Sequence, residues 1–211
     1  MVNLPINLVK KLYYQEKLST IDIAERFNVT PWVIIRFMRK FGLPRRSFKE
    51  TNKIVFERKP ISFHIKKKLS KKEEVLKIAG IMLYWAEGGK SNAKIRIWTV
   101  DLANCDPLMI ELFLKFLRKI CGVDEKRLRV LLYCYADQDV EDLKNFWHKV
   151  TKISLKQFIK PYIKKDFSSE KGRKMKHGLV HIRYSDKKLL LQIENWIKEY
   201  LKTNDIGWVP K

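Results

Sequence analysis

Cysteine, glycine and acidic residues are all scarce in this 211-residue chain. The three cysteines, Cys105, Cys121 and Cys134, are odd in number and widely spaced. That excludes a disulfide framework and a zinc-ligand spacing, and it fits a reducing compartment. The four histidines are scattered and add no metal-binding cluster. Eight glycines form no phosphate-cradling loop, and no serine or cysteine nucleophile motif stands out. No run is long and apolar enough to span a bilayer. Met1–Asn7 does not read as a secretory signal. A cytoplasmic protein with no membrane partner is expected.

What the chain has is positive charge. Lys and Arg number 45 against 23 Asp and Glu, a net charge of +22. An excess of that size implies a polyanionic partner, with nucleic acid the first candidate. The hydrophobic fraction of 45% is ample for a core, and the length suggests one or two domains.

The first 46 residues read as a three-helix domain. Residues 7 to 16 suggest a helix with Leu8, Val9, Leu12 and Tyr13 inward. Ser19 or Thr20 caps a second helix that runs through Phe27. Asn28 sits at the turn, where it tolerates a left-handed backbone. Thr30 caps a third helix with Pro31 in its first position, and Gly42 ends it. Ala24 is the small residue at the crossing, and Ile23, Phe27, Val29, Ile34 and Phe37 pin the pair. This is a helix-turn-helix pattern, similar to that of resolvase-type and homeodomain-like DNA-binding domains. In such a unit the second helix enters the major groove. Thr30, Trp32, Val33 and Arg36 then face base edges, with Arg36 the best guanine contact. Arg39, Lys40, Arg45 and Arg46 lie nearer phosphate. A small bundle that binds protein is the bland alternative.

Residues 47–72 are expected to be a basic linker. Between Pro44 and Lys72 stand eleven Lys or Arg against Glu50 and Glu57. Two short apolar pieces, Ile54–Phe56 and Ile61–Phe63, can dock on a core. A charge run between two binding modules would track phosphates.

Residues 73–211 suggest a second domain. An almost uncharged helix ends in Glu87, followed at once by Gly88 and Gly89. A carboxylate there sits on the negative end of the helix dipole. A bound hard cation would offset that, and carboxylate plus carbonyl oxygens suit one. Glycine past the helix end suggests a left-handed terminator. A strand is expected over Lys94–Val100, then a helix after Asp106, a strand over Arg127–Tyr135 and a helix from Asp139. Lys156–Lys165 is a basic extended segment interleaved with aromatics, and residues 166 to 176 suggest a loop. A strand over Leu179–Tyr184 and a helix capped by Asp186 follow, and Trp208 can pack back. Lys94, Arg96, Arg129, His181 and Arg183 would give the strands a face of one sign, suited to nucleic acid.

That element order, with an apolar helix ending in acid–glycine, resembles the LAGLIDADG homing endonucleases. Gly80 to Gly88 lines up with the nine motif positions. Met82 and Ala86 then fall on the two small-residue positions, Glu87 on the metal-binding acid and Gly88 on the final glycine. The resemblance covers roughly residues 73 to 202. It implies an αββαββα-type domain with an antiparallel sheet, hence an α+β chain overall. It further implies a homodimer through the 74–87 helix, with Mg²⁺ held by Glu87 of two chains. The expected activity is cleavage of double-stranded DNA. Lys90, Gln138, Lys156 and Gln157 are candidates for the basic and water-positioning roles. The alternative is a DNA-binding transcription regulator that keeps the fold without cleavage. A splicing or RNA-binding role is a third reading.

Overall fold

Local capping chemistry builds the first unit. In the computed structural model, which describes residues 4–90, 98–164 and 175–206, Ser19 accepts from the Asp22 amide and Asp22 accepts from the Ser19 amide. This reciprocal box starts α2, Thr20–Arg26. It is preceded by α1, Ile6–Lys10, which continues into a π-helical turn, Lys11–Gln15. Val9, Leu12 and Tyr13 share the inward face of this segment, and Leu8 is left exposed, contrary to its expected burial. Asn28 takes the left-handed conformation, with φ of 49°, and the Val29 amide donates back to the Ala24 carbonyl at 2.9 Å. That turn launches α3, Pro31–Lys40. Ile23, Ala24, Ile34 and Met38 close the crossing, with Phe27, Val29, Val33 and Phe37 packed around them.

The expected linker is half helix. Ser47 and Glu50 form a second capping box that starts α4, Phe48–Arg58. This helix belongs to the compact unit Met1–Pro60. None of its residues is buried, which is why no apolar stripe announces it.

The rest of the expected linker joins the second unit, Ile61–Lys211. Phe63 is buried and bridges to Val123, and the His64 amide donates to the Gly122 carbonyl at 2.9 Å. Gly122 has φ of +58°, and a Cβ there would collide with the His64 carbonyl. Tyr184 Oη donates to the Ser62 carbonyl, which ties the same segment to the sheet.

Helix α5, Lys71–Glu87, opens with a third box between Ser70 and Glu73. Lys66 Nζ lies 2.6 Å from Glu73. That contact, with the Ser70 amide, holds the Glu73 carboxyl down at about 2. A depressed carboxyl stabilises the fold above its ordinary range, and the support is lost as pH falls towards 2.

Leu76, Gly80, Ile81 and Tyr84 turn inward from α5. Gly80 lies against Phe116 of α6, Pro107–Lys119. Gly88 is extended, with φ −74° and ψ 153°, and is not the left-handed terminator expected. The chain instead runs straight into the sheet. Gly88 bridges to Leu102, and the Gly89 amide donates to the Asp101 carbonyl at 2.8 Å. A side chain at Gly88 would meet the Tyr84 ring at 2.6 Å.

The sheet has four described strands: β1 Val100–Asn104, β2 Leu128–Tyr135, β3 Tyr162–Lys164 and β4 Leu179–Tyr184, in the order β1-β4-β2-β3. β1, β4 and β2 pair antiparallel, but β3 is parallel to β2. The sheet is therefore mixed, not antiparallel throughout. The reason is α7, Val140–Thr151, which lies between β2 and β3 and carries the chain over to run in the same direction. Val100, Leu102, Leu128, Val130, Leu132, Val180 and Ile182 form the buried face, packed with Phe113, Phe116 and Leu117 of α6 and with Leu189 and Ile193 of α8, Lys187–Thr203. The class is α+β. Lys94 and Arg96, with most of the strand expected around them, lie outside the described residues, as do Trp208 and most of the loop expected at 166 to 176.

The Gly80 contact yields a test in which two effects oppose. Alanine favours a helix over glycine by about 1 kcal/mol. An added Cβ would sit 2.6 Å from Phe116 Cβ and closer to its ring. Phe116 is fully buried and cannot swing away, and overpacking costs about 1–3 kcal/mol. Gly80→Ala is expected to lower the urea midpoint; a raised midpoint would contradict the α5–α6 contact.

Candidate nucleic-acid interface

Because Ile34 and Met38 take one side of α3 to the core, the helical repeat sends Trp32, Arg36, Arg39 and Lys40 to the other. All four are exposed, and Trp32 is 60% exposed. Thr30 is also exposed, and its side chain makes no capping hydrogen bond. Arg45 is exposed beyond the helix end. No acid occurs between Thr30 and Arg46. The arrangement offers one hydroxyl, one large aromatic and four cations on a single unit. Guanidinium groups there can grip guanine edges or phosphate bidentately.

Arg46 does not belong to that face, contrary to expectation. Its Nη2 donates to the Leu18 carbonyl at 2.5 Å, and its amide donates to Tyr13 Oη at 2.9 Å. The guanidinium sits 4.1 Å over the Tyr13 ring. Its remaining nitrogens, Nε and Nη1, are buried without a partner among the described residues. Arg46 thus fastens the segment between α3 and α4 to the π-helical turn and the residues that follow it.

On the second unit, alternation along the strands sends Asp101, His181, Arg183, Arg129, Tyr133, Tyr135, Tyr162 and Lys164 to the face opposite the core. The register sets Asp101 opposite Arg183, and Arg183 opposite Arg129. Asp101 Oδ2 receives Arg183 Nε at 2.7 Å, and Oδ1 lies 2.9 Å from His181 Nδ1. The expected face of one sign is therefore corrected. β1 falls at Val100–Asn104 and brings a carboxylate onto the face, which pairs with two of the expected contacts. Arg129 is exposed, but its Nη1 donates to the carbonyls of Lys126 and Leu128 at 2.8 Å each. No local pattern marks Asp101, since its partners lie 80 and 82 residues away.

The Tyr133 ring lies 4.9 Å from Tyr162 and 4.8 Å from His181. Tyr162 and Lys164 are exposed on the short edge strand β3.

Glu87 is exposed at the end of α5, with no basic residue in the last turn. Among the described residues no group of three or more His, Cys, Asp and Glu comes together. Mg²⁺ commonly takes one or two carboxylates and fills its other positions with water and phosphate oxygens. A single Glu87 fits such a site only as a share of it. Gln138 and Gln157 are both engaged as loop clamps. Gln138 donates to the Met175 carbonyl at 2.9 Å and accepts from the Tyr135 amide at 3.0 Å. Gln157 donates to the carbonyls of Glu125 and Leu128 at 2.7 and 2.9 Å. Lys90 and Lys156 are exposed. Burial pushes the thiols of Cys121 and Cys134 up, which leaves them as packing residues.

No protein-family model, curated protein or solved structure matches the chain. Its chemistry is therefore read from its own residues.

The outer side of α5 is unusual for a surface helix. Val75, Ile78 and Trp85 recur at helical spacing away from the core face, with Ala79 and Ala86 beside them, while Met82 is half-buried against the core. Val75 is 66% and Trp85 44% exposed. A helix apolar on all sides is normally covered on all sides.

The Arg46 geometry separates a structural role from a binding one. Arg46→Met keeps the bulk but loses the charged hydrogen bond, worth about 1.5–3 kcal/mol. The variant is expected to unfold its first unit earlier on heating. At temperatures where it stays folded, DNA affinity should follow wild type. An unchanged melt with weakened binding would return Arg46 to the interface.

Proposed function

We propose that the chain is a site-specific double-stranded DNA-binding protein that reads its site with α3. The supporting observation is the outer face of that helix, where Thr30, Trp32, Arg36, Arg39 and Lys40 stand exposed without an acid among them. A helix set on a partner helix by a four-residue connection, with its polar side clear, is shaped to enter a major groove. The net charge of +22 supplies the sequence-independent attraction to phosphate.

We further propose that two copies pair through the outer side of α5 and act as an endonuclease of the LAGLIDADG type, with an αββαββα-like second domain. Of Met82 and Ala86, the positions the resemblance gives to close helix pairing, Ala86 is exposed on that stripe and Met82 is half-buried against the core. Pairing would cover Val75, Ile78 and Trp85 and bring one Glu87 from each chain to the same end of the seam. There the two carboxylates would hold Mg²⁺, which polarises a phosphate oxygen and lowers the pKa of bound water. The residues of the chain would bind, orient and neutralise: α3 would fix the register, and the exposed Arg129 would lower the local negative potential of the backbone.

The regulator reading keeps the same DNA contacts without hydrolysis. It is favoured by Gln138 and Gln157, which are both committed to backbone carbonyls, and by the bulk of Trp85 on the pairing stripe.

One experiment separates the two. Duplexes are selected from a random pool at about 0.2 M salt, where counterion release has weakened non-specific binding. Mg²⁺ is then added to the bound fragments, with wild type beside Glu87→Gln. Cleavage predicts discrete cuts that disappear in the variant, while its DNA affinity stays equal or rises because a negative charge near phosphate has gone. Selective binding without cuts would establish the regulator. Failure to enrich any site would remove the α3 assignment.

A further inference from the structure

The basic, aromatic-interleaved segment around Tyr162 has no place in the reading above, and it ends an aromatic column. The rings of His181, Tyr133 and Tyr162 stand side by side on three neighbouring strands, β4, β2 and β3, with successive planes tilted by 33° and 35°. Their separations of 4.8 and 4.9 Å follow the strand spacing of about 4.8 Å. Among the described strands β3 is at the edge of the sheet, and there the row of rings ends at Tyr162. Among the described residues no further ring packs against it, and it is 56% exposed. Two residues on, Lys164 lies on the same side of β3, opposite Tyr135 in register, and is exposed. No acid occurs in β2 or between Lys152 and Lys164.

An open aromatic face at the end of a row of rings, next to a cation and on strands β2 and β3 that carry no acid, is what a nucleobase with its phosphate requires. The base must be unpaired. In a duplex both faces of a base are covered by its neighbours, about 3.4 Å away along the strand. Only a base in a single strand can extend the column.

We propose that Tyr162 is a stacking site for an unpaired nucleobase of single-stranded nucleic acid, with the adjoining phosphate held by Lys164. This rests on the reading of the chain as a nucleic-acid binder and names a second substrate form for it, beside the duplex taken by α3.

The test uses fluorescence anisotropy on the full chain. The labelled probes are oligothymidylate and oligouridylate of about ten nucleotides, within the usual single-strand site size. A strand of the same length and charge without bases and the selected duplex complete the set. Tyr162→Ala is expected to weaken both single strands by at least about fivefold, the low end for loss of one base–aromatic stack. Tyr162→Phe should keep wild-type affinity to within about twofold, since the ring and not the hydroxyl is used. The abasic strand should bind wild type as weakly as oligothymidylate binds Tyr162→Ala, and the substitution should weaken it no further. The duplex should be unaffected by either variant.

Equal affinity of wild type and Tyr162→Ala for single strands, or of the abasic and normal strands for wild type, would overturn the proposal while leaving the duplex reading intact. Single-strand binding that responds to Tyr162 in a chain that ignores duplex would sustain the stacking site and remove the α3 reading. A chain that binds neither form would remove both. Equal responses of the two oligonucleotides assign the site to stacking alone; a response from one only adds discrimination at the sugar or at the C5 methyl of the base.

Discussion

The missing side chain at Gly80 is the constraint on which the second unit turns. It lets α5 lie directly on Phe116, and the chain leaving α5 then meets the sheet at Gly88 and Leu102. Two glycines eight residues apart thus do different work: one admits a neighbouring ring, the other leaves room for Tyr84 as the backbone straightens. With that side of α5 fixed, the helical repeat leaves Val75, Ile78 and Trp85 facing out. The same packing that builds the core therefore creates the uncovered stripe and places Glu87 at its end.

Charge is the second theme, and its sum says less than its placement. A net charge of +22 suggests cations available everywhere, yet several of the expected contacts are already occupied. Arg46 is folded over Tyr13, and Arg183 and His181 share Asp101. Pairs of this kind, partly shielded from water, orient side chains more than they stabilise the fold, because the cost of desolvation offsets the attraction. What remains open is concentrated on α3 in one unit and at β3 in the other, and neither element carries an acid.

Features carried by neighbours in sequence were legible before the fold was seen. Ser19, Asn28, Pro31 and Gly42 each dictate one backbone event, and all four occur where the residues place them. Apolar periodicity likewise gave α6, α7 and α8, whose inner faces are strongly buried. Features that depend on distant residues were not legible. Helix α4 buries nothing, so only Ser47 and Glu50 announce it within a run that reads as a charged tether. The strand at Val100–Asn104 is defined by β4, about eighty residues away, and its Asp101 changes the character of a whole sheet face. The parallel edge strand has only three residues and carries no alternation. Its aromatics were visible in the sequence, but their alignment with Tyr133 and His181 depends on register.

The central claim is that α3 reads bases, and site preference at single-position resolution tests it most directly. Selection from one random pool is run in parallel with wild type and Arg36→Ala. Preference for guanine should relax at one position, by about 1–3 kcal/mol relative to the other bases, with the rest of the site retained. A variant that selects the wild-type site unchanged, or loses affinity uniformly across all positions, would contradict the placement of α3 in the major groove.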